Sequence, residues 1–158
     1  MSVATKTSVS PTFEIDSDGI GWITFDDPER SLNVLAEPVM RRFAEMLDDA
    51  RAAGREGQVK VVVIRSGKPG SFIVGADVDE IAAIEDPSEA EQKIRLGQAI
   101  LNDVETLPVP TVAAIHGTCL GGGVEVAGEF VCLVDLKIAE VIFIRLWRQC
   151  AVCASRLN

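Results

Sequence analysis

The stretch from Val112 to Val126 holds the residue types in this chain that are best suited to chemistry. Three consecutive glycines, Gly121–Gly123, follow a β-prone apolar run and a loop, and Glu125 then stands among small apolar residues. Glycines let a ligand approach the backbone without meeting a Cβ, and the first N–H groups of a helix have no intrahelical acceptor. The pattern therefore indicates a backbone cradle for an oxyanion, with one carboxylate placed to move a proton beside it.

A second loop, Val74-Gly75-Ala76-Asp77, places small residues at another junction between a strand and a helix. If the two loops lie side by side, one backbone N–H from each could bind a single carbonyl oxygen. Two such donors contribute roughly 3–4 kcal/mol each in a dry site. Local sequence leaves their adjacency open, and the triple glycine alone could instead form a tight turn or a close contact between helices.

The other residues with catalytic potential lack partners in the sequence. His116 is the only histidine and precedes the glycine loop, where we interpret it as a packing residue. Cys119 has no basic neighbour, so we interpret it as a small apolar filler. Cys150 and Cys153 have redox or metal spacing, but no second cysteine or histidine pair accompanies them, which favours a cysteine pair on a helix. We therefore predict no metal site.

Strands and helices must position the two loops, and the first half of the chain predicts a βαβ unit. Two runs, Phe13–Ile15 and Ile20–Phe25, flank a turn-forming cluster and predict a β-hairpin. Behind Pro38, apolar residues recur at helical spacing and predict an amphipathic helix that ends near Gly54. The β-branched run Val59–Ile64 then predicts a buried parallel strand.

The second half predicts two helices and another strand. The Val74–Asp77 loop leads into a short helix through Ile84. A longer helix opens at Pro87-Ser88, where Ser88 and Glu91 have the spacing of a capping box. Thr111–Ile115 predicts the next buried strand. The apolar stripe of the longer helix comprises Ile94, Ile100, Leu101 and Val104.

Length, composition and charge fit one globular domain. The chain has 158 residues, 47% of them hydrophobic, and a net charge of −9. An acidic chain without a lysine or arginine cluster argues against nucleic acid and anionic membranes as partners. No segment has the apolar length for membrane insertion, and the N-terminus resembles no targeting signal, so we expect a cytoplasmic, reducing setting. We divide the chain into a flexible arm (1–12), a core (13–127) and an atypical tail (128–158).

Three ordered segments carry a family resemblance: DDPERSLNVL, which ends at Leu35, SFIVGADVDEI (Ser71 to Ile81) and LPVPTVAAIHGTCLGGGVEVA (Leu107 to Ala127). They resemble the crotonase superfamily of enoyl-CoA hydratases and isomerases, and within it the hydratase part of multifunctional fatty-acid oxidation proteins. The resemblance runs from about Phe13 to Ala127. It implies an α/β fold, a crotonase-like spiral of ββα units, which we expect to be incomplete at the C-terminus.

The resemblance also implies roles for individual residues in an acyl-CoA site of fatty-acid β-oxidation. It makes the backbone N–H groups of Ala76 and Gly122 the oxyanion donors and Glu125 the base that activates water for addition to a 2-enoyl-CoA. It implies that the Val74 carbonyl meets the CoA adenine and that Asp77 holds its loop. The other loop residues assigned to substrate binding are Gly75, Gly121 and Gly123. Coenzyme A is part of the substrate, so no separate cofactor is expected.

One departure from the family pattern affects the predicted activity. Hydratases of this family carry a second glutamate about twenty residues after the first, which protonates the α-carbon. Counting directly, that position is Arg145, and with an insertion after Ala127 it becomes Gln149; neither is an acid. The alternatives are therefore a catalytically impaired fragment that binds acyl-CoA weakly or only contacts subunits, and another crotonase reaction such as isomerisation or decarboxylation.

The resemblance further implies a homotrimer, a hexamer or a multienzyme β-oxidation complex. We expect truncation after about Ala127, through a shifted reading frame or altered splicing, to work against such assembly.

Overall fold

A computed structural model of the chain describes residues 10–128, and the backbone of residues 132–135. The two positions considered for the second acid, Arg145 and Gln149, lie outside the described residues. The Cys150 and Cys153 pair, most of the predicted arm and most of the predicted tail lie outside them as well. The described part is a mixed α/β structure in which helices pack on a five-stranded sheet.

The sheet follows the order of the chain. Its strands are β1 (Thr12–Ile15), β2 (Ile20–Phe25), β3 (Val61–Ser66), β4 (Thr111–Ile115) and β5 (Cys132–Asp135). The β1 and β2 strands pair antiparallel as the predicted hairpin, and each later neighbour pairs parallel. Parallel strands end at the same edge of a sheet, so the loops after β3 and β4 can meet there.

The predicted bounds of β3 were wrong by two residues. The strand begins at Val61 instead of Val59, because the preceding N–H groups are already engaged elsewhere. The Val59 N–H donates to the Ala53 carbonyl at 3.3 Å, and the Lys60 N–H donates to the Gly19 carbonyl at 2.8 Å. These bonds extend the end of the preceding helix and the hairpin turn, so pairing with β2 starts later.

Helix α1 (Glu37–Arg55) confirms the predicted amphipathic helix. Proline stands in its first turn, and the apolar face packs onto the sheet and onto the later helix α3 (Pro87–Glu105). Phe43 on this face meets Phe25 of β2 edge to face, with ring centroids 5.2 Å apart, a favourable aromatic geometry. The buried residues of the helix are Phe43, Met46, Leu47, Ala50 and Ala53.

Helix α3 (Pro87–Glu105) exists as predicted, but the capping box was wrong. Proline occupies the first helical position, so the N-cap is Asp86 and Ser88 already lies inside the helix. The Asp86 carboxylate accepts the Ser88 N–H at 2.8 Å. The predicted apolar stripe also divides: Ile100 and Val104 are buried, whereas Ile94 is 60% exposed.

Two short helices follow the loops that the sequence singled out. Helix α2 (Val78–Ala82) begins directly after Asp77, and helix α4 (Gly122–Gly128) begins at the middle glycine of the triplet. Helix α4 thus starts at one predicted oxyanion donor, Gly122, and α2 starts two residues after the other, Ala76.

Candidate functional site

The structure brings the two glycine-bearing loops side by side. The Phe72 N–H donates to the Thr118 carbonyl at 2.8 Å, and the Leu120 N–H donates to the Ile73 carbonyl at 3.1 Å. These bonds hold the segment after β3 alongside the segment after β4. A Cβ added to Gly122 would lie 3.7 Å from the Ala76 nitrogen, which shows how closely the two predicted donors approach.

Both predicted donors are available to a ligand. Within residues 10–128, neither the Ala76 N–H nor the Gly122 N–H has a backbone or side-chain acceptor. Gly122 is the first residue of α4, where an N–H has no partner within the helix. Two neighbouring N–H groups without acceptors form a place for one carbonyl oxygen.

The flanking glycines are required for backbone reasons. Gly121 has a φ of +49° and Gly75 a φ of +109°, which L side chains rarely adopt. A Cβ on Gly123 would overlap the carbonyl of Ile73. The tight turn that the sequence left as an alternative does occur, at Gly121. The close contact is between α4 and the segment after β3 instead of between two helices, and it holds the α4 terminus against the other loop.

A cavity of about 460 Å³ opens in front of the two donors. This volume lies within the range of small-molecule sites. Ala76, Asp77, Gly122 and Glu125 line it, and Glu125 is exposed to it one turn into α4. Its apolar walls come from Leu35, Met40, Ile81, Ile84, Ile94 and Leu101. Val74, Gly75 and Gly121 lie in the loops that support the cavity, and Gly123 lies in the first turn of α4; none of the four lines the cavity.

Asp77 holds the start of α2. Its buried carboxylate accepts the Asp79 N–H at 3.0 Å and forms an ion pair with Arg30, whose Nη1 lies 2.7 Å away. The hydrogen bond from the Arg30 guanidinium is the main reason why the pKa of this carboxyl lies below its ordinary value, and the backbone N–H donors add to the effect. A carboxylate bound in this way stays ionised and fixes the loop that carries Ala76.

Sequence reasoning missed a polar link across the rim of the cavity. The Glu80 carboxylate accepts the Glu37 N–H at 2.9 Å, and Lys93 Nζ lies 3.5 Å from the Glu37 carboxylate. Together they tie α2 and α3 to the start of α1. One signal was visible: Ala36, the residue before α1, cannot cap a helix with its side chain, so the first N–H groups of α1 need an acceptor from elsewhere.

His116 and Cys119, which we interpreted from the sequence as packing residues, both have surroundings in the structure that fit this interpretation. The Nε2 of His116 donates to the Lys68 carbonyl at 2.7 Å. Cys119 is buried, and burial raises the pKa of its thiol to about 11. Among the described residues, no group of three or more histidine, cysteine or acidic side chains could hold a metal ion.

The enoyl-CoA hydratase/isomerase family matches residues 16–140, most of the chain and both loops of the site. This chain belongs to that family. The match confirms the crotonase resemblance of the three sequence segments.

The family's relatives include proteins named fatty acid oxidation complex subunit alpha. The protein of that name from Idiomarina loihiensis is 43% identical over 116 residues, which are 73% of this chain and 16% of the relative. Its counterpart from Aliivibrio fischeri is 41% identical over 112 residues, 71% of this chain and 16% of the relative. The chain therefore spans about a sixth of the length of these relatives.

Solved structures show the same fold. An enoyl-CoA hydratase from Mycobacterium smegmatis superimposes with a TM-score of 0.73 at 20% identity, over 82% of this chain and 48% of that one. An enoyl-CoA hydratase/carnithine racemase from Magnetospirillum magneticum gives a TM-score of 0.69 at 26% identity, over 84% and 51%. In the described part, no helix has the length and apolar character needed to cross a bilayer.

Proposed function

We propose that the cavity binds the thioester of an acyl-CoA and that the Ala76 and Gly122 N–H groups donate to its carbonyl oxygen. The observation that carries this proposal is the pair of neighbouring N–H groups without acceptors at the wall of an apolar cavity. Such donors stabilise the negative charge that develops on the oxygen more than they stabilise the neutral carbonyl.

We propose addition of water to a 2-enoyl-CoA as the reaction. Glu125, which lines the same cavity, takes a proton from water while the water oxygen bonds to the β-carbon. The π electrons move toward the thioester oxygen, where the two N–H groups meet the charge. The enolate then takes a proton at the α-carbon, and the carbonyl is restored.

Protonation of the α-carbon, the last step, limits the rate of hydration that we expect from this chain. The two positions that match the family's second glutamate are Arg145 and Gln149, and neither side chain is an acid. Glu125 could return its own proton to the α-carbon, but one group would then serve as both base and acid. Because a positioned acid contributes roughly 10²- to 10⁴-fold, we expect hydration to be slower by about that factor than with two glutamates.

The lack of an acidic side chain at positions 145 and 149 favours a second function. Without the second acid, the chain would act as a catalytically impaired module that binds acyl-CoA weakly or contacts other subunits. Relatives of this chain are named as subunits of a fatty acid oxidation complex. We therefore propose a β-oxidation multienzyme complex as the assembly in which either function would operate.

Loss of the conjugated thioester absorbance of crotonyl-CoA tests the proposed reaction. We expect slow hydration by the wild type, loss of that rate in Glu125→Gln, and an unchanged rate in the control Glu105→Gln. Glu105 is an exposed glutamate at the end of α3 that does not line the cavity. Hydration that persists in Glu125→Gln would contradict the role of Glu125.

Titration with a non-hydrolysable acyl-CoA separates the two functions. Binding without turnover in the wild type would support the impaired module over the hydratase. Absence of binding would contradict the hydratase and the acyl-CoA-binding module, because both use the same donors, and would leave only the module that contacts other subunits.

A further inference from the structure

A short segment, Asn33–Leu35, lies against both oxyanion loops. The Val74 N–H donates to the Asn33 carbonyl at 3.0 Å, and the Leu35 N–H donates to the Gly75 carbonyl at 2.8 Å. These two bonds make the segment a parallel partner of the loop that ends at Ala76. The position of the Ala76 N–H therefore follows the position of this segment.

The same segment also contacts the second loop. The Leu35 Cδ1 atom lies 3.0 Å from the point where a Cβ on Gly122 would stand. Leu35 lines the cavity beside Ala76 and Gly122. Through its backbone on one side and its side chain on the other, Asn33–Leu35 spaces the two donors.

The Asn33 side chain anchors this segment to the sheet. It is 2% exposed, and its Nδ2 lies 3.0 Å from the Phe25 carbonyl, 2.8 Å from Ser66 Oγ and 3.0 Å from the Phe72 carbonyl. Two N–H bonds are thus shared among three acceptors at the ends of β2 and β3 and at the start of the Ala76 loop. A buried amide so enclosed has one orientation.

Ser66 extends the anchor toward the same loop. Its hydroxyl accepts from Asn33 and from the Lys68 N–H at 3.0 Å, and it donates to the Ser71 carbonyl at 2.6 Å. The donor and both acceptor positions of the hydroxyl are therefore in use. This network holds the backbone of the Ala76 loop at Ser71 and Phe72, ahead of the donor itself.

We infer that Asn33 is a positioning residue for the oxyanion site, setting the spacing between the Ala76 and Gly122 N–H groups through the segment it anchors. The inference rests on the proposed function, since it presumes that these two groups bind one oxygen. Asn33 does not line the cavity, so it acts without touching the substrate. A displacement of about 1 Å at a catalytic group can reduce the rate about 100-fold.

The test compares Asn33→Ala and Asn33→Ser with two controls. Asn102→Ala removes an exposed amide from α3, and Val104→Ala removes buried volume from α3 away from the cavity. For each variant, kcat and KM for crotonyl-CoA hydration are measured at a temperature where circular dichroism shows a folded protein. The infrared stretch of a ¹³C-labelled thioester carbonyl is measured with a bound, non-reacting acyl-CoA, a reading that needs no turnover.

We expect the Asn33 variants to lower kcat about 10- to 100-fold with less than about 3-fold change in KM. We also expect them to reduce the shift of the carbonyl stretch that the wild type produces. Val104→Ala should lower the melting temperature and leave both the carbonyl shift and kcat near wild type. If Asn33 had a purely structural role, its variants would behave like Val104→Ala, with a lower melting temperature but a carbonyl shift and kcat near wild type. That outcome would overturn the inference.

A milder variant covers the case in which the Asn33 variants do not fold. Ser66→Ala removes one of the three acceptors of the Asn33 amide and should reduce the carbonyl shift in part. If Ser66→Ala produces the same carbonyl shift as the wild type, the inference is overturned and the proposed function stands. Absence of a carbonyl shift in the wild type itself would overturn the proposed function, and the inference with it.

Discussion

Each carboxylate near the cavity has its own environment, and that environment separates structural from chemical roles. Asp77 is buried and bound to Arg30, whereas Glu125 is exposed to the cavity. A group already engaged by strong donors is a poor proton acceptor, because accepting a proton breaks those bonds. This contrast agrees with Asp77 as the residue that holds its loop and Glu125 as the proposed base.

The Asp77 ion pair makes a pH-dependent prediction. Arg30 lowers the pKa of the folded-state carboxyl, so its contribution to stability is present above the unfolded-state pKa and is lost as the pH falls through the folded-state pKa. Asp77→Asn, which keeps a capping side chain, should therefore lower the melting temperature at neutral pH, and the difference from wild type should shrink in acid. Thermal unfolding across this pH range checks it.

Asp49→Asn provides the control for this pH series. Asp49 is exposed on α1, and no ion pair within the described residues involves it. A melting-temperature difference for Asp77→Asn that stays constant from neutral pH into acid would show that the Arg30 pair contributes nothing.

The Cys119 thiol should be inert in the folded protein. Burial raises its pKa to about 11, so the reactive thiolate is scarce at neutral pH and the sulfur is also shielded. We expect no alkylation of the Cys119 peptide by iodoacetamide in native buffer and full alkylation in guanidinium, read by mass spectrometry. Rapid native labelling would contradict the packing that the structure shows.

Sequence reasoning worked best for residues with strong local signals. The triple glycine, Glu125 and Asp77 stand out by type and spacing, and the structure places Glu125, Asp77 and the middle glycine, Gly122, around one cavity. Asn33 and Glu80 were missed as residues of the candidate site, because most of their partners lie 33 to 43 positions away along the chain; the exception is the Phe25 carbonyl, 8 positions before Asn33. A polar residue within a loop segment gives no sign of such partners.

Among the helices, α4 and α3 each contain a glycine at which an added methyl group should change the stability of the fold, in opposite directions. A Cβ at Gly123 of α4 would overlap the Ile73 carbonyl, whereas nothing lies within 4 Å of a Cβ at Gly97 of α3. We expect Gly123→Ala to destabilise the fold by about 1–3 kcal/mol. Gly97→Ala should stabilise it by about 0.5–1 kcal/mol.

Denaturant unfolding of the two variants measures both effects. Equal effects of the two substitutions would contradict the close approach of α4 to the segment after β3.

Elements with clear periodicity were predicted well, but the ends of some of them were not. The apolar repeat fixed α1, and β4 was predicted with its observed bounds. The start of β3 and the cap of α3 depend on individual hydrogen bonds, those of the Val59 and Lys60 N–H groups and that of the Asp86 carboxylate. Hydrophobic periodicity carries no information about these bonds.

At the scale of the whole molecule, the site exists because parallel strands deliver two distant loops to one edge of the sheet. Ala76 and Gly122 are separated by a long helix and a strand in sequence, and no local pattern could place them together. The family resemblance supplied that expectation, and the hydrogen bonds between the segments after β3 and β4 account for it physically.

The infrared carbonyl stretch of a bound, ¹³C-labelled acyl-CoA thioester tests the paired donors most directly. Gly122→Pro removes one donor at the first position of α4, where proline is tolerated. Gly122→Ala keeps the N–H and adds a Cβ whose one tight contact is the movable end of Leu35 at 3.0 Å, while the Ala76 nitrogen and the Gly75 Cα stay at ordinary contact distance, 3.7 Å. We predict that the wild type and Gly122→Ala lower the carbonyl frequency alike, that Gly122→Pro loses a large part of the shift, and that its turnover falls about 10²- to 10³-fold. An equal shift in Gly122→Pro and Gly122→Ala would contradict the oxyanion site.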